Sequence, residues 1–199
     1  MDAHETSQQA FWDCIERVVV PRQQIACRVR ELSAQVANAF AGQELTILAV
    51  MTGALVFLAD LIRNLPIMTK LELVSARSYP GTATRSQGVK MDALPNGFGG
   101  KHVLIVDDIL DSGATMEALV RQVGLTQPAS LRTCVLMRKD RSDRPDRPAV
   151  DFVGFDIADE FVVGYGLDYN NLYRNLPDIC VLKPHCIESE LAGGQDAGG

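Results

Sequence analysis

The chain has 199 residues, 47% hydrophobic and 22% charged, with a net charge of −6. That length holds one sizeable core, and these proportions exclude a disordered chain or a fibre. No apolar run approaches the ~20 residues that cross a bilayer, Met1–Glu5 is too polar for a signal peptide, and the acidic balance disfavours nucleic acid, so a soluble cytoplasmic protein without membrane or nucleic-acid partners is expected.

The stretch before Pro21 is anchored by Phe11, Trp12, Ile15 and Val18–Val20 and reads as a helix. Pro21 opens a second helix, in which Ile25, Val29, Leu32, Val36 and Phe40 recur at helical spacing and Gly42 is the stop. Leu45–Val50 reads as a buried strand, Ala54–Asn64 as a helix, and Ile67–Ala76 as a strand through the alternation Leu71, Leu73, Ser75. A polar stretch, Arg77–Gly100, follows without a period; long loops of this kind are often lids or binding loops. Val103–Val106 is apolar throughout, as in a strand covered on both faces. A helix over Ala114–Val123, a strand over Leu131–Met137 and a charged loop over Arg138–Pro148 come next. Asp151–Phe155, Phe161–Val163 and Cys180–Leu182 are short strands, and Ala192–Gly199 is a frayed, Gly-rich tail. The five cysteines, Cys14, Cys27, Cys134, Cys180 and Cys186, show no C-x-x-C spacing, so free thiols are expected rather than a disulfide framework or a zinc site.

Strands alternating with helices imply an α/β domain with a parallel sheet, whose ligands bind beyond the carboxyl ends of the strands. The most unusual residues lie there. After Val103–Val106 the chain reads Asp107-Asp108-Ile109-Leu110-Asp111-Ser112-Gly113-Ala114-Thr115. Two adjacent carboxylates at a strand end are costly unless a divalent cation or sugar hydroxyls offset them. Ser112, Gly113, Ala114 and Thr115 then supply small residues, hydroxyls and the free amides of a helix start, which suit a phosphate. Together they describe a ribose-phosphate site. Taken singly, Asp111 or Ser112 also reads as a plain helix cap. An Asp-Asp pair after a strand occurs in receiver domains as well, but without the Ser-Gly-x-Thr cradle.

Val103–Thr115 resembles the phosphoribosyl-pyrophosphate motif of the type I phosphoribosyltransferases. Val150–Phe155, Phe161–Tyr169 and Tyr173–Pro177 resemble the hypoxanthine-guanine branch of that family. The resemblance covers roughly Leu45–Leu182. It implies a twisted parallel sheet flanked by helices, with a small hood built from the chain ends. In numbers, a single domain over 1–188 is expected, with a core over about 22–150, a hood from about 1–21 and 151–185, and a disordered tail over 189–199.

The implied reaction is magnesium-dependent transfer of a 5-phosphoribosyl group from phosphoribosyl pyrophosphate (PRPP) to hypoxanthine or guanine, giving IMP or GMP. Asp107 and Asp108 match the acidic pair on the ribose hydroxyls and metal; the family more often has Glu at the first. Asp111 matches the proposed general base near the purine, and Ser112–Thr115 the 5′-phosphate loop. Lys139 resembles the lysine that donates to the purine 6-oxo group. On position alone Lys139 is one of several solvated charges, and Arg138 competes for the alignment. Phe161 matches the ring that stacks on the purine, although Phe161–Val163 alone reads as core strand. Val162 matches the backbone that reads the purine edge, Asp168 a carboxylate near the base and a second metal, and Arg174 an arginine reaching pyrophosphate. Ser78-Tyr79 resembles the family's closing loop, and Ser78–Gly81 equally reads as a surface turn. Val50-Met51-Thr52-Gly53 aligns with the pyrophosphate loop, where Thr52 stands in place of the usual Lys or Arg before Gly53. A homodimer or homotetramer is implied. The competing function is a regulator that keeps the fold to sense a nucleotide or PRPP.

Overall fold

A computed structural model describes residues 12–77, 90–91, 94–95, 97–141, 143–144 and 146–187. The chain forms two compact units, one of Ala26–Asp159 and one of Met1–Ile25 with Glu160–Gly199. In chain order the elements are β1 (Ile15–Val20), α1 (Arg22–Ala39), β2 (Leu45–Met51), α2 (Leu55–Arg63), β3 (Thr69–Arg77), β4 (Lys90–Met91), β5 (His102–Leu110), α3 (Ala114–Gly124), β6 (Ser130–Lys139), β7 (Phe152–Ile157), β8 (Val162–Val163) and β9 (Ile179–Leu182).

The larger unit is built on a six-stranded sheet in the order β4-β3-β2-β5-β6-β7. β3, β2, β5, β6 and β7 run parallel, and β4 pairs antiparallel with β3. The middle strands are continuous apolar runs because helices cover both of their faces. Leu45, Ile47, Leu48, Val103, Leu104 and Ile105 are all fully buried. β3 lies nearer the edge, and its alternating Leu71 and Leu73 point outward. The stripe Ile25, Val29, Leu32, Val36, Phe40 of α1 is buried as its spacing predicts. Ser33 Oγ donates within α1 to Val29 O at 2.8 Å and reaches Leu61 O of α2 at 3.2 Å. Arg28 donates to Gly154 O and Val153 O, both at 2.8 Å, and so ties α1 to β7.

The smaller unit carries a three-stranded antiparallel sheet, β1-β9-β8. Its core is Val163, Leu176, Cys180 and Leu182, packed with Cys14, Ile15, Tyr169, Tyr173 and Ile187. Two expectations are corrected here. Ile15–Val20 is a strand, not a helix: its Ile and three consecutive Val favour the pleated, half-buried surface beside β9. Cys14 and Cys186 form a disulfide, so two of the five thiols are not free. No spacing rule finds a pair 172 residues apart; the β1–β9 pairing brings them together. Cys27, Cys134 and Cys180 are free, the latter two buried. At the start of α1 the orphan Arg22 amide donates to Asp178 Oδ1 at 2.7 Å, and the Arg22 guanidinium grips the same carboxylate at 2.8 Å. A distant acid thus serves as helix cap and ion-pair partner.

Candidate functional site

In the larger unit the parallel register places three strand ends side by side. β2 pairs with β5 and β5 with β6, so the segments that follow them leave the sheet together at its carboxyl edge. From β2 come Thr52 and Gly53, and the Met51–Thr52 peptide is cis. A Cβ on Gly53 would collide with the carboxylate of Asp108, so glycine permits the Thr52-Gly53 segment to touch the acidic pair. Asp107 is buried, and its Oδ1 accepts the Asp108 amide at 3.0 Å. Burial, and next the neighbouring Asp108 charge, push the Asp107 carboxyl well above the usual carboxylate range. Asp108 Oδ1 accepts the Ile109 amide at 2.8 Å.

β5 extends past Val106 to Leu110, so the acidic pair lies inside the strand and Asp111 is the first residue beyond it. The cap of α3 is Gly113, at φ +82°, with no side-chain cap bond. Neither Asp111 nor Ser112 caps the helix; Ser112 Oγ makes only a long contact with the Ala114 amide, 3.4 Å. The first intrahelical bond is Glu117 N–H to Gly113 O, so the amides of Ala114, Thr115 and Met116 precede the ladder and open at the helix start. A positive φ followed by free amides is the geometry of an anion cradle.

Asp111 sits in a charge network. Its Oδ2 lies 3.2 Å from Lys139 Nζ and its Oδ1 accepts from Arg141 Nη1 at 2.8 Å. Lys139 also meets Asp159 at 3.3 Å, and Arg141 meets Asp159 at 3.4 Å and Asp143 at 3.0 Å. The Lys139 side chain is 11% exposed and that of Asp111 46%. A partly open carboxylate thus offers acceptor oxygens beside a nearly buried ammonium that offers N–H donors. Arg138 projects to the other face, as alternation along β6 requires, and pairs there with exposed Asp156 at 2.6 Å. Arg141 and Asp159 were not legible as site residues. The only signal for Arg141 is the interleaved acids and bases of Arg138–Arg147, which reads equally as a solvated loop, and Asp159 lies beyond that stretch with no signal of its own.

The other candidates fall in the smaller unit. Phe161 is 48% exposed, unlike a core strand residue, and its ring meets Tyr169 edge to face at 5.7 Å. Val162 is buried in β8 against β9. Asp168 accepts the Asn171 amide at 2.8 Å and pairs with Arg174 at 2.8 Å. Arg174 also donates to Gly166 O at 2.7 Å and reaches Asn171 Oδ1 at 3.2 Å, so its guanidinium orders the turn around it. Ser78 and Tyr79 lie outside the described residues, as does the tail over 189–199. Among the described residues no group of three or more His, Cys, Asp or Glu side chains converges as a metal cage, and no helix is long and apolar enough to cross a membrane.

Residues 19–170 match the model of the phosphoribosyl transferase domain. The chain is 40% identical to the hypoxanthine-guanine phosphoribosyltransferase of Mycobacterium avium, over 87% of this chain and 89% of that one. It is 38% identical to the Bacillus subtilis hypoxanthine-guanine phosphoribosyltransferase, over 88% and 97% respectively. Among solved structures, the hypoxanthine phosphoribosyltransferase of Trypanosoma cruzi complexed with IMP superposes with a TM-score of 0.81, at 32% identity, over 92% of this chain and 97% of that one. The chain belongs to the phosphoribosyltransferase family, in its hypoxanthine-guanine branch, and is an enzyme of that class.

Proposed function

We propose that the enzyme serves purine salvage, transferring the 5-phosphoribosyl group of PRPP to hypoxanthine or guanine and releasing IMP or GMP with pyrophosphate. The observation that carries this reading is the apposition of Asp111 and Lys139, 3.2 Å apart, on adjoining strand ends next to the open amides of Ala114–Met116 at the start of α3. Displacement at the anomeric carbon needs three services. The purine nitrogen loses a proton as it attacks, and Asp111 accepts it. The purine 6-oxo group takes a hydrogen bond from Lys139; an amino group there would face a cation, so adenine is disfavoured. The 5′-phosphate rests on the amides of Ser112–Thr115. Phe161 offers its exposed face for stacking, the Val162 backbone reads the purine edge, and Asp168 and Arg174 supply further polar contacts to base and pyrophosphate. Thr52 and Gly53 meet the pyrophosphate, and Ser78 and Tyr79 belong to a closing loop.

A divalent cation fits Asp107 and Asp108. Two adjacent carboxylates, one buried and driven toward protonation, are relieved by positive charge, and Mg2+ is commonly held by one or two carboxylates with substrate oxygens completing its shell. When bound it would stabilise the charge of the departing pyrophosphate. Asp108 is positioned against Gly53, and Asp107 and Asp108 together receive the ribose hydroxyls. Asp168 is the candidate contact for a second metal, in competition with Arg174. We further place the enzyme in the cytoplasm as a homodimer or homotetramer, working as one catalytic domain over residues 1–188.

The test is pyrophosphate release from PRPP and Mg2+ with hypoxanthine, guanine, xanthine, adenine and uracil in parallel. Turnover with 6-oxopurines and none with adenine is expected. PRPP binding without turnover on any base would replace this reading with a sensing role.

A further inference from the structure

We propose that Arg147 is a positioning residue that fixes the spacing between Asp111 and Lys139; the inference rests on the roles given to that pair above. The ladder between β5 and β6 has its last register pair at Leu110 and Arg138. One step further along the two parallel strands stand Asp111 and Lys139. There the strands part, and the carbonyls of these two residues need another donor. Arg147 supplies it: the same Nη1 donates to Lys139 O at 2.8 Å and to Asp111 O at 3.1 Å. A side chain from the charged loop thus continues the sheet by one rung, beneath the two residues whose side chains meet above it.

The stem of Arg147 has a separate contact. A Cβ on Gly113 would lie 2.7 Å from Pro148 Cδ and 3.4 Å from Arg147 Cγ, so Arg147-Pro148 also rests on the turn that opens the anion cradle. The guanidinium and the stem therefore act on different parts of the site. A misplacement of about 1 Å between reacting groups costs on the order of 10²-fold in rate, which makes a rung at this point consequential. Nothing in the sequence separates Arg147 from Arg141 or Arg144; only the fold selects it.

The discriminating variant is Arg147→Met, which keeps an aliphatic stem over Gly113 and removes the donors. Arg147→Lys restores one nitrogen able to reach both carbonyls. For Arg147→Met we expect the KM for hypoxanthine to rise and kcat to fall, together about 5- to 50-fold in kcat/KM, with the KM for PRPP within about twofold and substantial recovery in Arg147→Lys. Hydrogen exchange is read alongside. The Asp140 amide, bonded to Ile157 O at 2.7 Å just past the rung, should exchange faster in Arg147→Met. Parent-like kinetics in Arg147→Met overturn the inference. So does an equal loss for purine and PRPP that tracks thermal stability and is not rescued by Lys, since that marks a merely structural arginine. A parent enzyme inactive on every 6-oxopurine refutes the functional reading instead, and in that case unchanged Asp140 exchange in Arg147→Met overturns the rung as well.

Discussion

Replacing Cys186 by Ser opens the bond that joins the two ends of the smaller unit. The bond closes a stretch of 172 residues. For a loop of that size the chain-entropy argument gives ~5 kcal/mol, and measured effects of disulfides commonly fall at ~2–4 kcal/mol. Local contacts hold the same ends, since Lys183 N–H donates to Cys14 O at 2.9 Å and Tyr169 Oη donates to Ile187 O at 2.6 Å, which favours the lower part of that range. With a slope of ~2 kcal/mol per molar urea, the midpoint should drop by ~1–1.5 M. The single tryptophan, Trp12, lies two residues from Cys14 and reports on this unit by fluorescence. Thiol titration supplies the control. Unfolded, unreduced protein should show three thiols, Cys27, Cys134 and Cys180. In the native state only Cys27 should label quickly, because burial pushes Cys134 up to about 12 and Cys180 up to about 11. An unchanged midpoint in Cys186→Ser, or five titratable thiols in the unreduced chain, would refute the reasoning.

Asp111→Asn keeps an acceptor for one cation but cannot take a proton, and turnover should fall ~10²-fold or more; a parent-like kcat would remove Asp111 from the base role. Thr52→Lys adds a cation to the segment proposed to meet pyrophosphate and should lower the KM for PRPP, with unchanged donor affinity counting against a role for position 52. The Arg22 guanidinium and amide hold the Asp178 carboxyl below the usual range. A depressed native value means that the ionised pair stabilises the fold above the unfolded carboxyl's pKa of ~3.9 and that this contribution disappears as pH falls through the native value. Asp178→Asn should therefore be less stable than the parent at neutral pH and converge with it in acid; a constant difference in thermal midpoint from pH 7 to pH 3 would exclude the ion pair as the cause.

What could be read from the chain followed the range of the interactions involved. Periodicity in α1 and the apolar runs of β2 and β5 are local consequences of burial, so sequence located them within a few residues. Gly113 was legible for a different reason: a flexible residue directly before a helix has few purposes, and its φ of +82° with no side-chain cap matches the amide cradle. By contrast, β1 depends on β9, and the Cys14–Cys186 bond depends on that pairing, so neither has a nearby sequence signal. Phe161 shows the same limit from the other side. Its neighbours Val162 and Val163 are buried strand residues, and nothing local predicts that the ring itself is half exposed against Tyr169.

The charged loop after β6 shows why chemistry-bearing residues can be visible in kind yet not in role. Arg138, Lys139, Arg141 and Arg147 are all cations within ten positions, and composition treats them alike. Strand alternation sends Arg138 to Asp156 and Lys139 to Asp111. Loop geometry then brings Arg141 to the same Asp111 carboxylate, and Arg147 to its backbone. Four similar side chains thereby acquire four different electrostatic duties, set by which face or carbonyl each meets. If the duties are as assigned, neutralising Arg138 should leave purine kinetics untouched, while changes at Lys139 and Arg147 should raise the purine KM by separate routes. Lys139 acts on the base directly and Arg147 through the spacing of the strand ends. Their combined effect should then be less than additive, because a misplaced Lys139 has less of its hydrogen bond left to lose. A double variant whose losses simply add would show that Arg147 works on something other than the Asp111–Lys139 pair.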